Sequence, residues 1–322
     1  MPELPDLTVY LDALGARILG APCAGVTIVS PFVVRSVDPP ISTITGRPVT
    51  GLSRLGKRIV IAFDDECFLV VLLMVAGRLQ WAAKRPKVNR RLMLALFDFP
   101  GGTLVLTEAG TKKRASIHVV RGAAALDDFS RGGIEPLDAS PEAFAARIRL
   151  ENHTLKRTLT APRLFAGIGN SYSDEILHRA RLSPLQLTSR ITDEEIARLH
   201  ASVRDTLTDW TARLRRETGD TWPAKVTAFR DDMAVHGRYG KPRPVCGDPV
   251  QRIRYADNET NYCATCQTGG RLLADRAMSR LLKEDWPRSL EEMEDRLAGG
   301  GVLGLGAGDQ QTAREKRGKP GK

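Results

Sequence analysis

Short apolar runs broken by turns occupy the chain from Gly25 to about Val120. VTIVS, RIVIAFDD, CFLVVLLMVAG, LMLALFDFPGGTLVLTE and SIHVV each read as a strand or a strand pair. The stretch FPGG, Phe99 to Gly102, marks a hairpin. Strands at such close spacing predict a sandwich or a barrel. Ahead of them Leu7, Tyr10, Leu11, Leu14 and Ile18 recur at helical spacing, so residues 4–18 predict a helix leading into the β-rich half.

The texture changes near residue 130, where GGIEPLDAS reads as a linker. From Pro141 to Phe229 helix signals dominate. Thr192 and Glu195 form a Thr-x-x-Glu capping box, and behind it Ile196, Leu199, Val203, Leu207 and Leu214 fall on one helical face. Beyond residue 230 glycine, proline and tyrosine become frequent and three cysteines appear. Leu272 to Lys283 predicts one more helix. From Gly299 the chain is glycine-rich and then basic, a composition that predicts disorder. No internal repeat is present. The pattern as a whole predicts an α+β chain of several domains.

At 322 residues, with 42% hydrophobic positions, the chain is long enough for more than one core. No apolar run approaches the roughly 18 residues of a transmembrane helix. The N-terminus lacks the basic-then-apolar order of a secretory signal. The expectation is a cytoplasmic protein with no membrane partner. Lys plus Arg number 48 against 38 Asp plus Glu, a net charge of +10 with a pI near 9.6. That excess favours a polyanionic partner. Part of it lies in the tail AREKRGKPGK, yet the rest of the chain remains basic.

Of five cysteines, Cys23 and Cys67 lie in apolar surroundings and read as small buried hydrophobes. Cys246, Cys263 and Cys266 follow a C-x16-C-x2-C spacing, a zinc ribbon with one ligand missing. A first Cys-x-x-Cys pair would place the missing ligand at position 243, which is Arg243. His236 replaces it only if the loop folds back. Three readings stay open: a Zn²⁺ site completed by His236 or water, a metal-free remnant held by packing, or free thiols.

The stretch GIGNSYSDEILHRARLSP, Gly167 to Pro184, predicts a helix capped by Asn170 or Ser171 after a glycine turn. Its N-terminus suits a phosphate, although on spacing alone an ordinary capped helix after a glycine turn is the better reading. Lys57, in SRLGKRIV, sits between a turn and a strand, where an ammonium can be aimed at a phosphate or simply be solvated. Lys112, Lys113 and Arg114 read as a basic loop between strands. The chain opens MPELPD. Initiator methionine is readily removed before a small residue, which would leave Pro2 with a free secondary amine. An α-amine has a reference pKa of about 8, against about 10.4 for lysine, so far more of it is unprotonated near neutrality. Such an amine can attack a sugar C1′ to give an iminium, and Glu3 beside it can act as general acid or base.

MPELPD, the Lys57 strand, GIGNSYSDEIL, VHGRYGKP and YCATCQ occur in one order. That order resembles the formamidopyrimidine-DNA glycosylase / endonuclease VIII family of base-excision repair enzymes, from Pro2 to about Gln267. The resemblance implies an N-terminal β-sandwich with a leading helix, a helical helix–two-turn–helix domain and a small C-terminal zinc-finger-like β-hairpin. It implies boundaries at 1–130, 131–228 and 229–290, with 291–322 as a disordered basic tail. It implies Pro2 as nucleophile, Glu3 as acid/base carboxylate, and Lys57 as a phosphate contact that supports chemistry. Asn170 matches the phosphate-binding asparagine, and Lys112, Lys113, Arg114 and Arg238 are further DNA contacts. The implied metal set is Cys246, Cys263 and Cys266 with His236 as a possible fourth ligand, and Zn²⁺ is the implied cofactor.

The implied activity is excision of oxidised bases followed by β- and δ-elimination at the abasic site. The implied partner is double-stranded DNA with a damaged base or abasic site, bound by a bacterial-type, nucleoid-associated monomer. The chain departs from the family at several points. Arg243 stands for the first zinc cysteine, and Asn258 for the DNA-contacting arginine of the hairpin. Val75, beside Met74, stands for the stack-filling methionine, and the loop TEAGTKKRAS has no aromatic residue. These departures motivate an alternative, a catalytically weak or inactive protein that binds damaged DNA. A third reading, a basic zinc-ribbon protein that binds RNA, leaves MPELPD unexplained.

Overall fold

The computed structural model describes residues 1–224, 226–243, 246–254, 258–273, 289 and 292. The chain begins with helix α1 (Leu4–Ile18), where the apolar spacing predicts it. Pro5 lies in its first turn, the one place where a missing N–H is harmless. Eight strands follow: β1 (Gly25–Ile28), β2 (Val49–Leu55), β3 (Arg58–Phe63), β4 (Cys67–Leu72), β5 (Gly77–Ala82), β6 (Met93–Phe99), β7 (Gly102–Glu108) and β8 (Ser116–Arg121). They form two antiparallel sheets, ordered β2-β3-β4-β8 and β1-β6-β7-β5. In one sheet Ile59, Ile61 and Phe63 alternate inward with Leu69, Val71, Ile117 and Val119. In the other Leu79, Phe97, Leu104 and Leu106 do the same, and all join one core with Leu7, Tyr10, Leu14 and Ile18 of α1. The architecture is an N-terminal β-sandwich with a leading helix.

The helical part comprises α2 (Pro141–Arg149), α3 (Leu155–Thr160), α4 (Asn170–Arg179) and α5 (Asp193–Thr218). The capping box at Thr192 and Glu195 opens α5 as the sequence predicts. Ile196, Leu199, Val203 and Leu207 of α5 pack with Phe144, Leu159, Tyr172 and Ile176 in a second core. Leu4 belongs to this core and not to the sandwich. Burying it contributes about 2 kcal/mol and docks the start of α1 against the helical part.

Strands β9 (Gln251–Arg254) and β10 (Glu259–Tyr262) form an antiparallel hairpin, followed by the short helix α6 (Ala264–Thr268). The helix expected over 272–283 and the basic tail lie outside the described residues, apart from Leu272, Leu273 and Glu292. No helix among the described residues is long and apolar enough to cross a membrane.

Candidate active site and nucleic-acid interface

Three distant segments meet at the start of α4. The Leu4 N–H donates to the Gly167 carbonyl at 3.0 Å, which fixes the extended residues ahead of α1. The Glu3 carboxylate then accepts from the N–H groups of Gly169 at 2.6 Å, Ser171 at 2.9 Å and Tyr172 at 3.3 Å. These are donors of the helix start that no helical carbonyl can satisfy. A negative charge also suits the positive end of the helix dipole. Glu3 is 3% exposed, so backbone N–H groups replace its solvent. The cap expected from Asn170 or Ser171 is therefore supplied from 166 residues away. Gly169 is the N-cap residue and Asn170 the first helical one.

Lys57 follows the turn between β2 and β3. Arg54 holds that turn: its Nη1 donates to the Gly56 carbonyl at 2.7 Å, and its Nη2 pairs with Glu135. The Lys57 ammonium is brought against the same backbone as Glu3. A Cβ at Gly169 would lie 2.5 Å from Glu3 Cδ and 2.6 Å from Lys57 Nζ. Only a glycine leaves room for both groups. Burial lowers the Lys57 pKa, the Lys156 ammonium lowers it further, and Glu3 opposes both. A cavity lined by Met1, Gly56, Lys57, Met74, Phe129 and Gly167 opens beside these groups. The α-amine of Met1 is also depressed, chiefly by burial, with the charges of Arg78 and Lys57 adding to it. Pro2 is buried next to it.

Asp6, one turn into α1, was not singled out by sequence. Its Oδ2 accepts from the Glu3 N–H at 3.0 Å, and burial pushes its pKa up to about 6. Asp174 and Glu175, two adjacent buried carboxylates of α4, were also missed. Asp174 is fully buried between Lys156 Nζ at 2.5 Å and His236 Nδ1 at 2.7 Å, and accepts from the Asn261 N–H at 3.1 Å. Glu175 accepts from the N–H groups of Ala234, Val235 and His236. Burial raises its pKa, and those three donors oppose the rise. One helix therefore holds the N-terminal corner at its start and the segment before the hairpin along its length.

The residues expected to contact DNA are found in different states. Asn170 donates from Nδ2 to the Glu259 carbonyl of β10 at 2.9 Å, which ties the helix start to the hairpin. Lys112 and Arg114 are exposed on the loop after β7. Lys113 is turned back onto the carbonyls of Arg91 and Glu108. Buried Glu108 organises this loop by accepting from the N–H groups of Arg114 and Ala115. Arg238 donates to the carbonyls of Asp231 at 2.5 Å and Pro242 at 3.3 Å, bracing its own loop. Val75 is 63% exposed on the turn after β4, and Asn258 is exposed beside β10.

At the hairpin the sulfur atoms of Cys246, Cys263 and Cys266 lie within 4.8 Å of one another, close enough to share a metal ion. The possible fourth ligand, His236, does not join them. Its Nδ1 is bonded to Asp174 and its ring stacks on Phe229 at 5.7 Å. Arg243 instead donates from Nη1 to Cys266 Sγ at 2.8 Å. A guanidinium has no lone pair to offer, so the residues present do not close a four-ligand Zn²⁺ shell. Burial pushes Cys246 up to about 11. Cys263 is held below the usual thiol range, because the Cys266 N–H and the Arg243 guanidinium outweigh its burial.

Comparison with known proteins agrees with this layout. Residues 1–112 match the family model of the formamidopyrimidine-DNA glycosylase N-terminal domain, and residues 133–216 match its H2TH domain. The chain is 31% identical over 277 residues to the formamidopyrimidine-DNA glycosylase of Pelotomaculum thermopropionicum, covering 83% of this chain and 99% of that one. It is 40% identical over 151 residues to an uncharacterized formamidopyrimidine-DNA glycosylase-like protein of Mycobacterium tuberculosis, covering 47% of this chain and 94% of that one. The complex between the Lactococcus lactis Fpg and an abasic site containing DNA shares the fold. Its TM-score is 0.72 at 24% identity, covering 83% of this chain and 99% of that one. With β-sandwich, helical domain and cysteine-bearing hairpin in this order, the chain belongs to the formamidopyrimidine-DNA glycosylase / endonuclease VIII family.

Proposed function

We propose that this chain is a base-excision repair DNA glycosylase with AP lyase activity, acting as a monomer on duplex DNA. The observation that carries the reading is the corner where Pro2, Glu3 and Lys57 converge on the start of α4. Removal of Met1 frees the Pro2 nitrogen. Its lone pair attacks C1′ of the damaged nucleoside, and the base departs with the bonding electrons and a proton. The amine loses its own proton as the sugar ring opens, and an iminium forms between nitrogen and C1′. The iminium acidifies the C2′ hydrogen. Loss of that proton expels the 3′ phosphate, and a second elimination expels the 5′ phosphate.

Glu3 stands one residue from the nucleophile and serves as the acid or base for these transfers. Lys57 places a cation at the cavity wall, where a phosphate flanking the lesion would lie. Asn170, at the first position of α4, and the exposed Lys112 and Arg114 extend the anion-binding face, with Lys113 and Arg238 stiffening its loops. The target base must leave the stack to reach Pro2. The chemistry needs no metal. The alternative, a damaged-DNA binder without turnover, is favoured by one observation. Val75 and an aromatic-free loop stand where stack-filling residues are expected.

Borohydride trapping separates the two. The protein with Met1 removed is incubated with a duplex carrying one abasic site, and borohydride is added. A covalent adduct is expected, and the chain that retains Met1 should give none. Intact duplex binding without any adduct from the processed chain would leave the binder reading.

A further inference from the structure

The cluster at Cys246, Cys263 and Cys266 poses a problem of charge and geometry that excision does not touch. Cys246 Sγ and Cys263 Sγ are 3.6 Å apart. Sulfurs on a tetrahedral zinc with bonds near 2.3 Å would be about 3.8 Å apart. That pair is spaced as two ligands of one zinc would be, and the third sulfur lies within 4.8 Å of both. Arg243, at the position where the fourth ligand is expected, donates from Nη1 to Cys266 Sγ at 2.8 Å. Arg243 is 4% exposed, so its charge has little solvent, and the sulfur atoms are its polar company. A divalent cation among these sulfurs would face the guanidinium at close range and compete with it for the same lone pairs.

What a structural metal would hold together is already held. The Arg243 N–H donates to the Asp248 carbonyl and the Gly247 N–H to the Arg243 carbonyl, each at 3.0 Å. Cys263 caps α6 by accepting from the Cys266 N–H at 3.4 Å. Val235 and Val250 pack against all three cysteines.

We propose that the Arg243 guanidinium replaces the metal in this hairpin, so that the finger folds and binds DNA as a zinc-free thiol–guanidinium cluster. The claim concerns metal content and stands apart from the glycosylase reading, because its readouts are zinc stoichiometry and melting. The full chain is purified under reducing conditions from zinc-supplemented culture, and bound zinc is counted by mass spectrometry. The wild type should hold far less than one equivalent, with melting indifferent to a chelator. Arg243→Cys should restore four thiolates, take up about one zinc per chain, and become chelator-sensitive. Stoichiometric zinc in the wild type overturns the proposal. A zinc-free Arg243→Cys that still binds duplex overturns the role given to Arg243. Should Arg243→Cys fail to fold, Arg243→Gln provides the second arm. It should melt several degrees lower than wild type with or without chelator, and an unchanged melting temperature overturns the proposal.

Discussion

Helix α4 carries two regions built on opposite principles. At its start the Glu3 carboxylate accepts from the N–H groups of Gly169, Ser171 and Tyr172, and the Lys57 ammonium packs against the same glycine. At the hairpin, three thiols meet a guanidinium in place of the ligand that would complete a metal shell. The first region gathers Glu3, Lys57 and Asn170, the positions that the resemblance to the family singles out. The second holds Arg243 and Asn258, where the sequence reading marks departures from it. The contrast separates two demands. Bond-breaking requires particular atoms at particular distances, whereas a hairpin that only presents a surface can be held by any set of contacts that fixes its turns.

The largest expected effect tests the first region. Glu3→Gln keeps an amide carbonyl to accept from the start of α4 but removes the titrating carboxyl. Base excision on an oxidised-base duplex should fall about 10²–10⁴-fold, the span of general acid–base catalysis, with duplex affinity close to wild type. Excision within tenfold of wild type would show that Glu3 is only a helix cap.

Next comes Asp6, 5% exposed, whose Oδ1 lies 3.8 Å from Arg230. Burial raises its pKa from 3.8 to about 6. A folded-state value above the unfolded one means that stability from the neutral acid is fully present below pH 3.8. It is lost as pH rises through 6. Asp6→Asn keeps a carbonyl for the Glu3 N–H and has no charge to bury. Its stability relative to wild type should therefore grow by about 3 kcal/mol between pH 3 and pH 8, read by chemical denaturation. A pH-independent difference would place the Asp6 proton elsewhere.

Gly169→Ala tests the convergence itself. Its φ of −130° suits any residue, so backbone strain is not at issue. The added methyl would collide with Glu3 and Lys57 together. Displacing them by about 1 Å should lower excision about 10²-fold while melting changes little. Unchanged excision would mean that these side chains act from positions other than those they hold.

Much of this was legible in the chain, for physical reasons that can be named. Helix α1 and the opening of α5 are local: apolar spacing in one case, a capping box in the other. MPELPD put Pro2 and Glu3 forward as a pair because they are neighbours in sequence, and the structure buries both at the start of α1. The cap on α4 was not legible, since Glu3 is supplied from 166 residues away and displaces the local candidates Asn170 and Ser171. His236 was a possible fourth ligand only if its loop folds back, and the structure instead sets its Nδ1 2.7 Å from buried Asp174. Arg243 was visible as a missing ligand. That its guanidinium would turn inward to fill the gap depends on packing around Val235 and Val250, which no local pattern encodes.

The smallest effect sharpens the hairpin side of the contrast. Asn258 is exposed next to β10, and Asn170 ties the start of α4 to the Glu259 carbonyl beside it. Asn258→Arg would add one cation to the proposed DNA-binding surface without altering the corner at Glu3. Duplex affinity should rise by about 1 kcal/mol, roughly fivefold, and the salt dependence of binding should steepen by about one counterion. The rate of the chemical step on bound DNA, from single-turnover excision, should stay at its wild-type value. An increase in that rate with no change in affinity would join the two regions into one machine, with the hairpin setting the geometry at Pro2. An increase in affinity alone keeps them separate, one holding the duplex and the other breaking its bonds.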